Sequence, residues 1–364
     1  MDTEDNVMNN ENASGLKKTV DPYWQFVRGI CIIFVILIHG KDGLKFENAL
    51  AGSWNFDYWL VLRQVINFPV AVFFFLAGYF SNVEETKQKN PRHILKRLER
   101  LILPFYIWSL IYTLVNIVSK REKMNIGKTV IDFLFGLSAS PLYYVFVLVQ
   151  LVLLTPILIK LINRNRGIFI LYLITPAYLV FIYIYTIAFD GQPYLYRLPF
   201  LPWFLFFFIG IRIKIRGYKP IFKTRQLTYS IVFCIICLVI SILEGYGLVL
   251  AGYPSGFASG QIKGSTFLFA LSIINLLMVI KPRFETHKDK LLIKLGDHSY
   301  GIYYVHLIWI MLFEWITSFY PALDNILPLF QLVQFLFTIT MSMISILIVQ
   351  KILGKKSARK YLGF

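Results

Sequence analysis

Charged residues are scarce in this chain, and acidic residues are the scarcer of the two signs. Asp, Glu, Lys and Arg make up 16% of the 364 residues, with 20 acidic against 37 basic, whereas soluble domains carry about 25% charged residues. The polar segments between apolar stretches are short, at most about 25 residues. These deficits exclude an ordinary soluble domain and predict that no separate extracytoplasmic domain is inserted between the apolar stretches.

Cysteine is also rare, and all three cysteines lie inside apolar stretches. Cys234 and Cys237 have CxxC spacing, but their neighbours are Ile, Val, Phe and Leu, without a second pair or a nearby His. We interpret them, with Cys31, as small core residues rather than redox or metal ligands. The sequence contains no GxSxG, P-loop, HExxH or Gly-rich dinucleotide motif, and we expect no metal site.

Apolar residues are abundant: 57% of the chain is hydrophobic, with 33 Phe and 22 Tyr. They form runs of about 18–25 residues, the length that an α-helix needs to cross a bilayer. The sequence therefore predicts an all-α, polytopic integral membrane protein with about ten transmembrane helices in one bundle. The predicted spans are 23–42, 57–81, 98–119, 141–162, 167–188, 198–214, 227–249, 264–281, 297–317 and 326–351.

The distribution of Lys and Arg predicts the orientation. With the N-terminus inside, 27 of the 37 basic residues fall in inner segments and eight in outer loops, which is the positive-inside pattern. We therefore predict cytoplasmic N- and C-termini, an N-terminal tail at 1–22, a membrane domain at 23–352 and a basic cytoplasmic tail at 353–364. The outer loop 119–140 is basic against this trend, and we expect its apolar part, 130–137, to be re-entrant or interfacial.

The first predicted span carries two ionisable residues, Arg28 and His39, with only apolar residues or Gly between them. Eleven positions along a helix rise about 16 Å and complete about three turns, so the two side chains share a face at different depths. An ionisable residue within a span is costly unless it is paired or faces water. The spacing favours a polar stripe that faces the interior of the bundle, although snorkelling of Arg28 and an interfacial position for His39 remain the alternative.

Arg97 and Arg100 project from one face at the cytoplasmic start of the third predicted span. Two guanidinium groups at this spacing are suited to gripping phosphates, and ordinary positive-inside anchoring is the alternative.

Other polar groups are weaker candidates for supporting roles. Asp57, at the head of the second span, either orients the His39 imidazole or caps its own helix. His306 lies on the ninth span, where a core or interface role is the alternative, and Glu314, near the outer end of the same span, either lines an acceptor cleft or is a solvated interface charge. A further set near the outer ends of spans could line an acceptor cleft or be solvated: Asp190, Arg197 and Glu244.

Six segments of the chain follow one another in a characteristic order. They are Arg28-x10-His39, FFFLAGYF, Arg97-x-x-Arg100 with LILPFYIWSLIY, YYVFVLVQLVLLTPIL (143–158), LPWFLFFFIGIRI (201–213) and LGDHSYGIYYVHLIWI (295–310). Together they resemble the acyltransferase-3 family of membrane O-acyltransferases, over residues from about 22 to 350. Each segment alone is weakly specific, but six in order are strongly so.

The resemblance implies transfer of an acyl group, usually acetyl, from cytoplasmic acyl-CoA to a hydroxyl of a cell-surface glycan or its lipid-linked precursor. It assigns Arg28, His39, Arg97 and Arg100 to the functional core, and it implies a multi-pass protein of a bacterial inner membrane. Association with a polysaccharide biosynthesis machinery is also implied. Binding of a nucleic acid is not expected. The family often has Ser before the glycine of FFFLAGYF; this chain has Ala77, so that side chain receives no role.

The chemistry of acyl transfer agrees with these residues. A sugar hydroxyl needs a base before it attacks a thioester, and histidine titrates near neutral pH. His39 is the candidate base or transient acyl carrier, Arg28 a conceivable oxyanion donor, and Arg97 and Arg100 the candidate ligands of the acyl-CoA phosphates.

Two other protein classes stay open at this point. A transporter or flippase of lipid-linked saccharide would also need many aromatic-rich helices, but such folds often have internal repeats with interrupted helices, and no repeat is detected here. A membrane glycosyltransferase or polymerase usually has large outer loops, which this chain lacks between its spans.

Overall fold

The computed structural model describes residues 21–40, 53–87, 92–119, 125–164, 168–218, 222–284, 289–320 and 327–364. Within these ranges the chain forms α-helices and two short 3-10 helices, without a β-strand. The α-helices are α1 (Pro22–His39), α2 (Trp54–Ile66), α3 (Pro69–Tyr79), α4 (Val83–Lys87), α5 (Arg92–Ser119), α6 (Ile126–Phe135), α7 (Tyr143–Arg164), α8 (Ile168–Phe189), α9 (Phe204–Arg216), α10 (Thr224–Leu250), α11 (Ser255–Ala258), α12 (Gly264–Ile280), α13 (Lys290–Asp297), α14 (Ser299–Thr317), α15 (Leu327–Leu353) and α16 (Lys355–Leu362).

Eight helical segments among the described residues are long and apolar enough to cross a membrane. They correspond to eight of the ten predicted spans, so the prediction of an all-helical polytopic membrane protein is confirmed. The count of ten and the cytoplasmic position of both termini stay predictions, and residues 1–20 of the predicted N-terminal tail lie outside the described residues.

The other two predicted spans, 198–214 and 297–317, correspond to α9 and α14. Helix α9 has 13 residues and therefore rises only about 20 Å, less than the roughly 30 Å of a bilayer core. A series of turns at 194–203 precedes it, and most of its side chains are buried. Helix α14 has 19 residues and is long enough to span. It carries a histidine and a glutamate, which make it less apolar than the eight segments above.

The second predicted span is broken into α2 and α3 at Asn67 and Phe68. Pro69 begins α3; because proline has no backbone N–H, the carbonyl of Val65 loses its helical partner. The buried amide of Asn67 turns away from the helix and donates to the carbonyl oxygens of Ser259 (2.8 Å) and Gly260 (3.3 Å). Asn67, at the break, thus holds the segment that leads into α12.

Helix α1 lies at the centre of the bundle and packs against α2, α3, α13, α14 and α15. Its closest crossing is with α13, where a Cβ on Gly29 would lie 2.0 Å from the carbonyl oxygen of Leu292, and one on Gly296 would lie 1.8 Å from that of Gln25. Only glycine fits at this crossing. The crossing fixes the helix that carries Arg28 and His39.

Two predicted peripheral segments form surface helices. The apolar part of the 119–140 loop belongs to α6, which buries none of its side chains within the protein and starts at the cap residue Asn125; this favours the interfacial over the re-entrant alternative. The predicted basic tail contains α16, whose last turn packs on α5: the Trp108 indole N–H donates to the Leu362 carbonyl at 3.1 Å, and Phe364 is buried.

Candidate functional site

A cavity of about 270 Å³ lies beside the end of α1. Its volume is close to the lower end of the range for small-molecule sites, about 300–1,000 Å³; it has room for one sugar unit and not for a whole acyl-CoA. Its polar lining comes from α1, α2, the 3-10 helix before α7, α7, α14 and the loops at 190–203 and 256–261. These polar residues are His39, Arg63, Ser140, Tyr143, Tyr144, Arg197, Ser259, Gln261 and Tyr303.

His39, the last residue of α1, is half-buried and lines this cavity. Its Nδ1 lies 3.2 Å from the hydroxyl oxygen of Ser140. The end of α1 is held by Arg63, whose Nη1 donates to the carbonyl of Ile38 at 2.7 Å. The imidazole is therefore oriented by Ser140, the backbone that carries it is held by Arg63, and the ring faces a cavity rather than lipid.

His306, on α14, is fully buried beside His39, with 5.3 Å between the two ring centres. Its Nδ1 lies 2.7 Å from the carbonyl oxygen of Tyr303, so Nδ1 carries the proton and donates it to that oxygen. Its Nε2 is buried without a hydrogen-bond partner among the described residues. An imidazole that keeps a lone pair inside the bundle, next to a second imidazole, is chemically available as a proton acceptor.

Arg28 lies on the same side of α1 as His39, because the eleven positions between them complete about three turns of the helix Pro22–His39. Tyr144 lines the cavity with His39, and the guanidinium of Arg28 is close enough to interact electrostatically with the Tyr144 hydroxyl. Arg28 also approaches Gln25 Oε1 with its Nη1 (3.3 Å) and stacks over Phe80, 5.2 Å from the ring centre. Tyr144 therefore belongs to the cavity lining and also interacts electrostatically with Arg28.

Arg97 joins Arg28 on the same side of Tyr144. Its Nη2 donates to the Ala77 carbonyl at 2.8 Å and its Nη1 to the Ser81 hydroxyl at 3.0 Å, and its charge also reaches Tyr144. Arg97 thus caps the C-terminal end of α3. Arg100, one turn further along α5, is exposed, so Arg97 and Arg28 both interact electrostatically with Tyr144 and Arg100 is left at the surface.

Of the weaker candidates, only Arg197 lines the cavity; the others lie outside its lining: Asp57, Asp190, Glu244, His306 and Glu314. Asp57 accepts a hydrogen bond from the Tyr246 hydroxyl at 3.0 Å, and Ser53 rather than Asp57 caps α2; the group that contacts His39 is Ser140. Glu314 interacts with Gln334 at 3.4 Å.

A buried ion pair lies behind the cavity wall. Lys263 is fully buried, and its Nζ donates to Gln64 Oε1 (2.9 Å) and to the Ser241 carbonyl (3.2 Å), with Glu244 Oε2 at 3.7 Å. Burial lowers the pKa of Lys263 to about 8, and the carboxylate of Glu244 opposes part of this shift. Lys263 is one of the eight basic residues of the predicted outer loops, and in the structure it is a structural anchor.

This anchor holds the loop that forms one wall of the cavity. Gln64 donates to the Ala258 carbonyl at 3.3 Å, in addition to the contacts of Asn67 with the same loop. The Gln261 side chain accepts a hydrogen bond from Tyr143 at 3.1 Å. The wall is thereby bound to α2, α7 and α10 at once, which makes the cavity a pre-formed feature of the fold.

Sequence reasoning assigned no role to several of the cavity residues. Arg63 lies within a span, and the rule for intramembrane charges that selected Arg28 would have selected it too. Ser140, Tyr143 and Tyr144 stand at the start of an apolar run, where a polar and aromatic cluster is typical of any membrane interface. No pattern in the chain distinguishes them from an interfacial belt.

The described residues contain no group of three or more His, Cys, Asp or Glu side chains that could hold a metal ion. A family model described as an acyltransferase domain, of the acyltransferase-3 type, matches residues 21–349. No curated protein and no solved structure matches the chain. The matched range contains the cavity, both histidines and the two arginines around Tyr144.

Proposed function

The chain belongs to the acyltransferase-3 family of membrane acyltransferases, and from this premise we propose that it moves an acyl group, in the first place acetyl, from acyl-CoA to a hydroxyl of a glycan. The observation that carries the proposal is the position of His39 in the cavity, on the same face of α1 as Arg28. With the predicted orientation, the histidine end lies toward the outside and the arginine end toward the cytoplasm.

We assign the donor to the arginine end. Acyl-CoA carries several phosphates, and Arg28 and Arg97 supply guanidinium groups that match phosphate oxygens. Arg100 is exposed at the surface, where it would meet the donor on entry. The pantetheine arm would then pass Tyr144 and bring the thioester to His39.

His39 acts as the general base in this proposal. When its Nδ1–H is donated to Ser140, Nε2 carries the lone pair and takes the proton of the acceptor hydroxyl. The oxygen attacks the thioester carbonyl, and the positive charge of Arg63 on the cavity wall stabilises the oxyanion that forms. The C–S bond then breaks, the ester is released, and the CoA thiolate takes the proton back from His39.

The test uses purified protein in lipid nanodiscs with acetyl-CoA and a glycan acceptor. His39→Ala and His39→Gln should each lower kcat by about 10²- to 10⁴-fold, the usual contribution of a general base. His298→Ala is the matched control, because that imidazole caps a helix end at Lys294 and should leave the rate unchanged. If the His39 variants insert normally and release CoA at the wild-type rate, the assignment is refuted.

The same assay separates this proposal from a saccharide transporter. The broken α2–α3 helix is of a kind that transporters use. In the described residues, however, the break is explained by Pro69 and by the contacts of Asn67 with the cavity wall. A transporter would move lipid-linked saccharide without consuming thioester.

A further inference from the structure

The cavity beside His39 has an unbalanced positive character. Two guanidinium groups, those of Arg63 and Arg197, line it, and none of the described residues that line it is Asp or Glu. Both guanidinium groups line the same cavity as the His39 imidazole. A cavity lined by one sign of charge concentrates ligands of the opposite sign.

Three acidic residues stand near the cavity walls in the sequence, Asp57, Asp190 and Glu244, and none of them is among the residues that line the cavity. Asp190 is exposed directly after α8. Asp57 binds the Tyr246 hydroxyl. Glu244 pairs with buried Lys263 and accepts hydrogen bonds from Tyr183 and Ser265. The positive charge in the cavity is therefore not offset by these carboxylates.

Arg197 is the residue best placed to meet a ligand. It lies in the turn region before α9 and is exposed. Its Nε donates to the Tyr196 hydroxyl at 2.8 Å, and its guanidinium stacks on that ring, 5.1 Å from the centre. This contact fixes the plane of the guanidinium and leaves the Nη1 and Nη2 edge for a carboxylate or phosphate, which arginine binds through two parallel hydrogen bonds.

The remaining lining is suited to a sugar. Tyr143, Ser140 and Gln261 present hydroxyl and amide groups, and Trp59 presents an aromatic side chain. A sugar unit placed among these groups has one edge toward His39 and another toward Arg197.

Resting on the acyltransfer proposed above, we propose that the acceptor is an anionic glycan, and that Arg197 binds a carboxylate or phosphate on the sugar unit whose hydroxyl reaches His39. Arg197 is a specificity residue in this scheme. It should affect KM for the acceptor and leave kcat nearly unchanged, because it holds the acceptor without taking part in proton transfer.

The experiment measures acetyl transfer from acetyl-CoA by the full-length protein in nanodiscs, with two matched pairs of acceptors. One pair is oligogalacturonate and its methyl ester, and the other is methyl glucoside 6-phosphate and methyl glucoside. We expect kcat/KM to be at least about tenfold higher for the charged member of one pair, the effect of one charge-assisted contact. The pair that shows the preference identifies the anion as a carboxylate or a phosphate.

Three variants test the residue. Arg197→Gln should raise KM for the charged acceptor about tenfold and leave the neutral acceptor unaffected, while Arg197→Lys should retain part of the preference. Arg225→Gln, at an exposed position on α10 away from the cavity, is the matched control and should change neither. The preference of the wild type should weaken as ionic strength rises, because Arg197 is exposed.

The outcomes separate this inference from the function on which it rests. Equal transfer to charged and neutral acceptors, or an equal loss for both in Arg197→Gln, would overturn the anionic acceptor while acyl transfer stands. Absence of transfer to every acceptor, with no thioester consumed, would overturn the proposed function and this inference together.

Discussion

The crossing of α3 and α9 should not tolerate a single added methyl group. A Cβ on Gly78 would lie 2.1 Å from the carbonyl oxygen of Phe207, and one on Gly210 would lie 2.2 Å from that of Phe75. Ordinary contacts begin at 3.4 Å, so Gly78→Ala requires the two backbones to separate by more than 1 Å. Backbone atoms cannot rotate away as a flexible side chain can, and overpacking of this kind costs about 1–3 kcal/mol.

The consequence should reach the candidate donor site. The residue before Gly78 supplies the carbonyl that accepts from Arg97, so a shift of α3 moves the anchor of that guanidinium. We expect Gly78→Ala to lower the free energy of unfolding by about 1–3 kcal/mol and to raise KM for acyl-CoA. Thermal unfolding in detergent and initial rates in nanodiscs are the two measurements.

Gly247→Ala is the matched control, because nothing lies within 4 Å of a Cβ at that position. Alanine there should leave stability unchanged or raise it by up to about 1 kcal/mol through helix propensity. If Gly78→Ala is as stable as Gly247→Ala and keeps the wild-type KM, the close crossing described above is refuted.

Three further predictions follow from individual contacts. Arg97→Gln should raise KM for acyl-CoA at least about tenfold, since it loses a charge at the donor site and both contacts to the end of α3; Arg100→Gln, at an exposed position, should have a smaller effect in the same rate assay, and equal effects would contradict this. Because the pKa of buried Lys263 is about 8 in the folded protein and ordinarily 10.5, the unfolded chain binds this proton more tightly, and this group makes stability rise between pH 8 and 10. Lys263→Met should remove that rise, so a difference in melting temperature between wild type and variant that stays constant from pH 7.5 to 9.5 would argue against it. In a background without the native cysteines, an impermeant maleimide applied to intact cells should label Tyr194→Cys and spare Lys356→Cys, since both positions are exposed and the charge distribution places them on opposite sides of the membrane; the reverse labelling would invert the predicted orientation.

Composition and spacing account for much of the protein. Apolar runs of membrane length fix the helical class, because a backbone in lipid must satisfy its hydrogen bonds within the helix. The eleven-residue interval between Arg28 and His39 places both on one side of α1, since helical periodicity is local and needs no knowledge of neighbours. The interval alone predicts a polar stripe on α1 that ends at His39.

Local periodicity does not give the lengths of all elements. The run 198–214 is apolar enough to suggest a span, yet its helix begins only at Phe204, since the preceding residues form turns beside the cavity. Within the run 57–81, only Asn67 and Pro69 indicate a helix break. The hydrogen-bond partners of Asn67 lie about 190 residues away in the sequence.

The sequence alone predicts that the chain folds in a lipid bilayer, that α1 is a helix, and that Arg28 and His39 are the ionisable residues on it. Which side chains contact these two residues depends on the tertiary structure. Ser140 and His306 lie beside His39, Tyr144 lines the same cavity and interacts electrostatically with the two arginines, and Lys263 is buried near Glu244. These contacts join segments far apart in the chain, and they depend on how helices cross at glycines and where a proline breaks them. Pairings of this kind leave no periodic trace in a single sequence.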